Sequence, residues 1–277
     1  MFWSKGDGRR APRKPERVID RLRFVARDGL TKIVTVESGE ERYRFACTNR
    51  IEVYRAKTLF AKEEGTWTWI RSTVRPGDVF YDIGANIGLY TLAAARRVGE
   101  NGQVFAFEPH AASFERLCAN LLLNDAARCA TALSIAPNDS EGFFDFHYAG
   151  WQSGASASQL VDRPRTTIAL HELKYAAPID LLVERGWLPR PDVVKLDVDG
   201  REPHIIRGMA RLLGSRDRPR SVQIEIQRRD EGGVLPLMAA MGYRVDHHHL
   251  TMSGKSKLAR GKTLQDIAYN VVFVPAG

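Results

Sequence analysis

At 277 residues, with 44% hydrophobic and 27% charged side chains, the chain can bury one substantial α/β core with an appendage, but hardly two full domains. No run of about 18 apolar residues is present, so no membrane-spanning helix is expected, and Cys47, Cys118 and Cys129 lack the C-x-x-C spacing of a disulfide framework or thiolate metal site. Net charge is +8, and residues 1–30 carry +5 of it, as nine Lys or Arg against four acids.

The leader MFWSKGDGRRAPRKPERVID is basic but lacks the apolar stretch of a signal peptide. A reducing cytoplasm is therefore the expected location. Val18, Ile19, Leu22, Val25 and Ala26 recur at helical spacing among Arg17, Arg21, Arg23 and Arg27, which predicts a basic amphipathic helix. Such a helix packs on a domain edge or touches an anionic surface, so peripheral contact at the inner membrane surface is one option. Alternation over 31–37 and 42–48, around Ser38-Gly39-Glu40-Glu41, predicts a β-hairpin, and helical patterning resumes near Ile51. Residues 1–77 read as an N-terminal extension and 78–277 as the main domain.

From Asp78 strands and helices alternate: strand 78–83, helix 88–98, strand 103–108, helix 111–123, strand 130–136. Between about 140 and 175 this lapses into strand-like pieces at 143–148 and 166–170 around the small-residue loop 151–158, an insertion expected to overhang the sheet. Helix 178–185, strand 192–198, helix 202–213, strand 221–226, helix 233–241 and strands near 243–247 and 267–274 complete the pattern. Alternation of this kind builds a mostly parallel sheet with helices on both faces.

The strand Val79–Ile83 ends in an acid and a tight turn, Asp82-Ile83-Gly84-Ala85-Asn86-Ile87-Gly88, and the second strand ends at Glu108, 24 residues beyond Gly84. In a β-α-β unit an acid there lies beside the glycine turn and can accept both hydroxyls of an adenosine ribose. A dinucleotide site calls for G-x-G-x-x-G. Here the glycines are four apart, Asn86 stands between them, and Asp82 would repel a pyrophosphate. S-adenosylmethionine has no phosphate, and its ammonium and sulfonium suit a carboxylate-lined cleft. That cofactor is the expectation, held by Asp82, Gly84, Asn86, Gly88 and Glu108.

A second constellation, Asp192-Val193-Val194-Lys195-Leu196-Asp197-Val198-Asp199-Gly200-Arg201-Glu202, is a buried-type strand that breaks into acids. Lys195, Asp197 and Asp199 share a face while it stays extended. The next strand adds Glu225 at its carboxyl end, the edge where open α/β sheets bind ligands.

DIGANIGLYT, VFAFEP, FERLCANLLLN, Ala132-Leu133-Ser134, VVKLDVDGRE and Ile224-Glu225-Ile226 together resemble the FkbM family of S-adenosylmethionine-dependent methyltransferases over about 78–230. The resemblance implies a class I methyltransferase fold, Rossmann-like, with seven strands of which the last is antiparallel. It also implies methyl transfer to a hydroxyl of a sugar, glycan, glycolipid or polyketide-type acceptor. One departure is visible: Asp199 stands where the family's K-x-D-x-E-G-x-E motif has Glu. Ser134 and Asp139, after the third strand of the core, lie where such folds contact the adenine.

Removal of a weakly acidic hydroxyl proton during in-line transfer calls for a nearby base. Asp197 is the first candidate, with Lys195 or Glu225 orienting the acceptor. A metal held by Asp197, Asp199 and Glu225 is an alternative, but His247-His248-His249 is not a ligand set, since neighbours on a strand face opposite ways. The basic balance raises a nucleic-acid methyltransferase as a rival. No Asn/Asp-Pro-Pro-aromatic segment or Pro-Cys nucleophile supports it, so no nucleic-acid partner is expected. A non-catalytic S-adenosylmethionine-binding regulator is the remaining option.

Overall fold

The computed structural model describes residues 30–156, 158–161, 172–226, 228–263 and 266–277. The expected basic helix at 18–26 and the strand piece at 166–170 lie outside the described residues.

The hairpin forms as expected from β1 (Lys32–Ser38) and β2 (Glu41–Cys47). Next come α1 (Arg50–Lys57) and α2 (Glu64–Thr73). A capping box starts α1: the Asn49 side chain accepts from the backbone N–H of Ile51 and Glu52, and Glu52 reaches back to the Asn49 N–H.

The core comprises β3 (Val79–Ile83), α3 (Leu89–Val98), β4 (Gln103–Phe107), α4 (Ala111–Leu123) and β5 (Ala130–Leu133), then α5 (Ile179–Glu184), β10 (Val193–Leu196), α6 (Glu202–Arg207), α7 (Ala210–Leu213), β11 (Ser221–Ile226), α8 (Arg228–Ala240), β12 (Tyr243–Leu250), α9 (Met252–Ala259) and β13 (Tyr269–Pro275). The numbers between belong to a separate four-stranded sheet formed by β6 (Ala136–Pro137), β7 (Gly142–His147), β8 (Gln159–Val161) and β9 (Glu172–Ala177) in the order β6-β9-β7-β8.

The seven-stranded sheet runs β12-β13-β11-β10-β3-β4-β5. β5, β4, β3, β10 and β11 are parallel, and the final strand, β13, is antiparallel to β11. This is the expected class I methyltransferase topology, in which the order reverses between β3 and β10 and leaves a crevice at their carboxyl ends. Alternation along β3 splits the core, with Phe80 among the apolar residues of one face and Tyr81 among those of the other.

Three departures from the sequence pattern have local causes. The strand expected at 130–136 ends at Leu133, and Ala136–Pro137 pairs instead with β9. The helix expected over 202–213 is two: Gly208 passes so close to the Asn138 carbonyl that a Cβ would lie 2.0 Å from it. The Asp180 carboxylate then caps a new helix start through Arg211 N and Leu212 N, both at 2.8 Å. Finally, the basic segment after Thr251 is helical rather than loop, because the Thr251 hydroxyl accepts from Gly254 N at 3.0 Å and caps α9.

Candidate functional site

The turn after β3 is left-handed at Gly84, Asn86 and Gly88, with φ of 82°, 52° and 87°. Gly84 is required by the protein's own packing, since a Cβ there would fall 1.8 Å from the Asp197 carbonyl oxygen. The tips of β3 and β10 therefore touch. Gly84 N and Ala85 N both donate to the Phe107 carbonyl at 3.0 Å, which ties the turn to β4 as well.

Glu108 follows β4 and is 6% exposed. One carboxylate oxygen accepts from Asn86 N at 2.7 Å, the other from His110 N at 2.8 Å. Burial pushes this carboxyl up to about 7, against the lowering effect of those two N–H donors. His110 accepts from Ser113 N through Nδ1, so its proton is on Nε2 and donates to the Gly150 carbonyl at 2.8 Å.

Register places Asp82 directly beside Lys195. Asp82 is fully buried; one oxygen takes the Lys195 ammonium at 3.1 Å and the other the Thr91 hydroxyl at 2.6 Å. Asp82 thus seats Lys195 beneath the turn instead of facing the crevice. Burial alone would lower the Lys195 pKa, but Asp82, then Asp197 and Glu63, outweigh it and hold it above its ordinary value. The ammonium also lies 3.8 Å from Asp197 and 5.5 Å from the centre of the Tyr90 ring.

A cavity of about 100 Å³ joins these elements. Its lining brings Gly84 and Asn86 together with Lys195, Asp197, Asp199 and Glu225. Burial, then the charges of Asp197, Glu63 and Asp199, raise the Glu225 pKa well above its ordinary value. Asp199 is left-handed at φ 61°, a conformation that short Asp tolerates better than Glu. Glu202 braces the same loop by accepting from Val198 N and Gly200 N at 3.1 and 3.2 Å.

A second, more apolar cavity of about 40 Å³ lies on the other side of Gly84, lined in part by Phe107, Pro109, Phe146 and Leu160. Ser134 and Asp139 line neither cavity; both are exposed, and Asp139 pairs with Arg207 at 3.3 Å. Gly88 is one step back, with a position for Cβ that Leu117 fills. Among the described residues no group of three or more His, Cys, Asp or Glu converges as a metal-ligand set. His247 and His249 share a face with ring centres 6.1 Å apart, and His248 lies instead near Tyr269.

The sequence pattern missed the wall that the N-terminal extension supplies: Arg55, Thr58, Leu59, Lys62 and Glu63 line the same cavity as the glycine turn. Glu63 is 3% exposed, accepts from the Thr66 hydroxyl at 3.2 Å and is hydrogen-bonded by Tyr90. Thr66 in turn accepts from Gln223 on β11 at 3.0 Å, which anchors the extension to the sheet. Only Tyr90 lies inside a recognisable motif.

Residues 82–245 match the model of the methyltransferase FkbM domain. The chain belongs to the FkbM methyltransferase family. It is 27% identical over 172 residues to a hexuronic acid methyltransferase, AglP, of Haloferax volcanii, covering 62% of this chain and 66% of that protein. It is also 27% identical over 153 residues to the methyltransferase sdnD of Sordaria araneosa, covering 46% and 59%. The chain thus spans less than two thirds of the length of either relative. Among solved structures, an FkbM methyltransferase from Methylobacillus flagellatus aligns at 14% identity and TM-score 0.49 over 81% of this chain and 55% of that one.

S-adenosylmethionine is the cofactor of this FkbM domain, and the lining fits it. The acids Glu63, Asp197 and Asp199 of that lining suit a sulfonium and an ammonium while opposing a pyrophosphate, and Glu108, which lines neither cavity, accepts from Asn86 N of the glycine turn just beside it. No helix among the described residues is long and apolar enough to cross a membrane.

Proposed function

We propose that this chain is an S-adenosylmethionine-dependent O-methyltransferase acting on a hydroxyl of a sugar, glycan, glycolipid or polyketide-type acceptor. The observation that supports it most is the cavity that joins the glycine turn to Lys195, Asp197, Asp199 and Glu225. The named relatives, one of them a hexuronic acid methyltransferase, favour a sugar among those acceptors.

In this reading Glu108 holds the ribose hydroxyls, and Gly84 and Asn86 let the ligand lie against the main chain. The cofactor supplies an electrophilic methyl on sulfur. Asp197 takes the acceptor's proton: it is half-buried, 26% exposed at the side chain, and stands 3.8 Å from the Lys195 ammonium. Glu225, lining the same cavity and with its pKa raised by burial and the neighbouring acids, orients the acceptor. Lys195, locked to Asp82, gives the base a fixed positive neighbour.

The test is methyl transfer from methyl-labelled S-adenosylmethionine to a panel of hexuronic acids, neutral glycosides and polyketide-type alcohols. The expected product is a methyl ether that survives mild alkali. A product cleaved by alkali would be an ester and would move the reaction from hydroxyl to carboxylate; no transfer to any of them, with cofactor bound, would favour a binding role without catalysis.

A further inference from the structure

The cavity beside the glycine turn contains three cations, and two are already committed. Lys195 is bonded to Asp82 at 3.1 Å, and Lys62 pairs with Glu63 at 3.4 Å. Arg55, on α1 of the extension, is different. Its Nε donates to the Gly154 carbonyl at 2.6 Å and its Nη2 to the Ser156 hydroxyl at 2.7 Å, both neutral acceptors. Among the described residues it forms no ion pair, and its Nη1 has no acceptor.

A half-buried guanidinium without a counter-anion is expensive to keep. Clamping residues 154–156 does not need a charge, since a neutral amide could donate to the same oxygens. The position is informative as well. Arg55 lines the cavity with Gly84, Ala85 and Asn86, and its charge bears on both Glu108 and Tyr90. It therefore shares one cavity with the glycine turn and with the acids Glu63, Asp197 and Asp199. A cofactor seated on that turn carries a methionine arm ending in a carboxylate, which those acids would otherwise repel.

We infer that Arg55 is the counter-ion of the cofactor's methionine carboxylate, so that the N-terminal extension completes the cofactor site. This rests on the methyltransferase reading above. The oriented guanidinium presents the two donors of Nη1 to the carboxylate while Nε and Nη2 hold the loop at 154–156. Cofactor recognition and seating of that loop then share one side chain.

A pair of ligands separates this role from a structural one. S-adenosylhomocysteine carries the aminocarboxylate arm, and 5′-methylthioadenosine keeps the adenosine and thioether but lacks it. Titration calorimetry of wild type, Arg55→Gln and Arg55→Lys with both ligands reads the difference. Arg55→Gln keeps an amide that can still donate to Gly154, so its fold is protected. The expected result is a loss of roughly 10- to 100-fold for S-adenosylhomocysteine, less than about twofold for 5′-methylthioadenosine, and partial recovery with Lys. Equal losses for both ligands would make Arg55 only a loop clamp, and unchanged affinities would remove it from the site; either overturns the inference while leaving the cofactor reading intact. A wild type that binds neither nucleoside would sink that reading, and the inference with it.

Discussion

The sheet and the collar above it place their buried charges by different means. In the sheet, Asp82 and Lys195 meet because parallel register sets them side by side, and Asp197 follows just past the end of β10. In the collar, formed by the extension and the insertion, Glu52 gathers partners from across the chain: Arg116 at 3.1 Å, the backbone of Asn49 at 3.1 Å, and the hydroxyl of Ser153, 101 residues away. The sheet cluster opens onto the cavity, whereas Glu52 is fully enclosed and ties α1, Arg116 and Ser153 together. Charge at these strand tips therefore faces a cavity, and the Glu52 charge is spent on internal packing.

That contrast can be broken most directly at its chemical end. Asp197→Asn should reduce turnover by about 10²- to 10⁴-fold, the usual worth of a positioned base, with cofactor affinity and melting midpoint unchanged. Normal turnover would remove Asp197 from the role. The collar should respond in the opposite way. Glu52→Ala strands the buried Arg116 guanidinium and should cost about 3–5 kcal/mol in denaturant unfolding. A loss below about 1 kcal/mol would mean that the collar docks by apolar contact alone.

A smaller effect sharpens the picture at Glu108. Its folded pKa, about 7, lies above the usual carboxyl value, so its contribution to stability is full below about 4.5 and is lost as pH rises through about 7. Ribose hydroxyls donate to the ionised form, so binding must release a proton below that pH. Cofactor affinity should rise roughly tenfold per pH unit up to about 7 and level off above it. Titration in two buffers of different ionisation enthalpy would read the proton release directly, and affinity that falls with rising pH would assign binding to the protonated acid.

Legibility in the sequence followed the same division. Strands β3, β4, β10 and β11 were readable because each is a short apolar run ending in an acid or glycine, and the turn at 84–88 is local chemistry. The helix break at Gly208 was not, because its cause is the Asn138 carbonyl and the Asp180 cap, which only folding brings near. Arg55 and Glu63 escaped for a related reason. Neither sits at a strand tip or in a glycine turn, and apart from one another and Thr58, Leu59 and Lys62 their neighbours in the cavity lie more than 20 residues away in the chain. Asp82 reads in the sequence as an acid that favours the cofactor's positive charges, and its burial with Thr91 and Lys195 was invisible without the register.

The central claim is that the glycine turn and Glu108 form an S-adenosylmethionine site. Titration calorimetry with S-adenosylmethionine, S-adenosylhomocysteine and NAD, on wild type and Glu108→Ala, tests it most directly. Binding of the first two and not of NAD is expected, weakened by roughly 1–3 kcal/mol in the variant through loss of charge-assisted hydrogen bonds. Binding of NAD, or affinity untouched by Glu108→Ala, would contradict it.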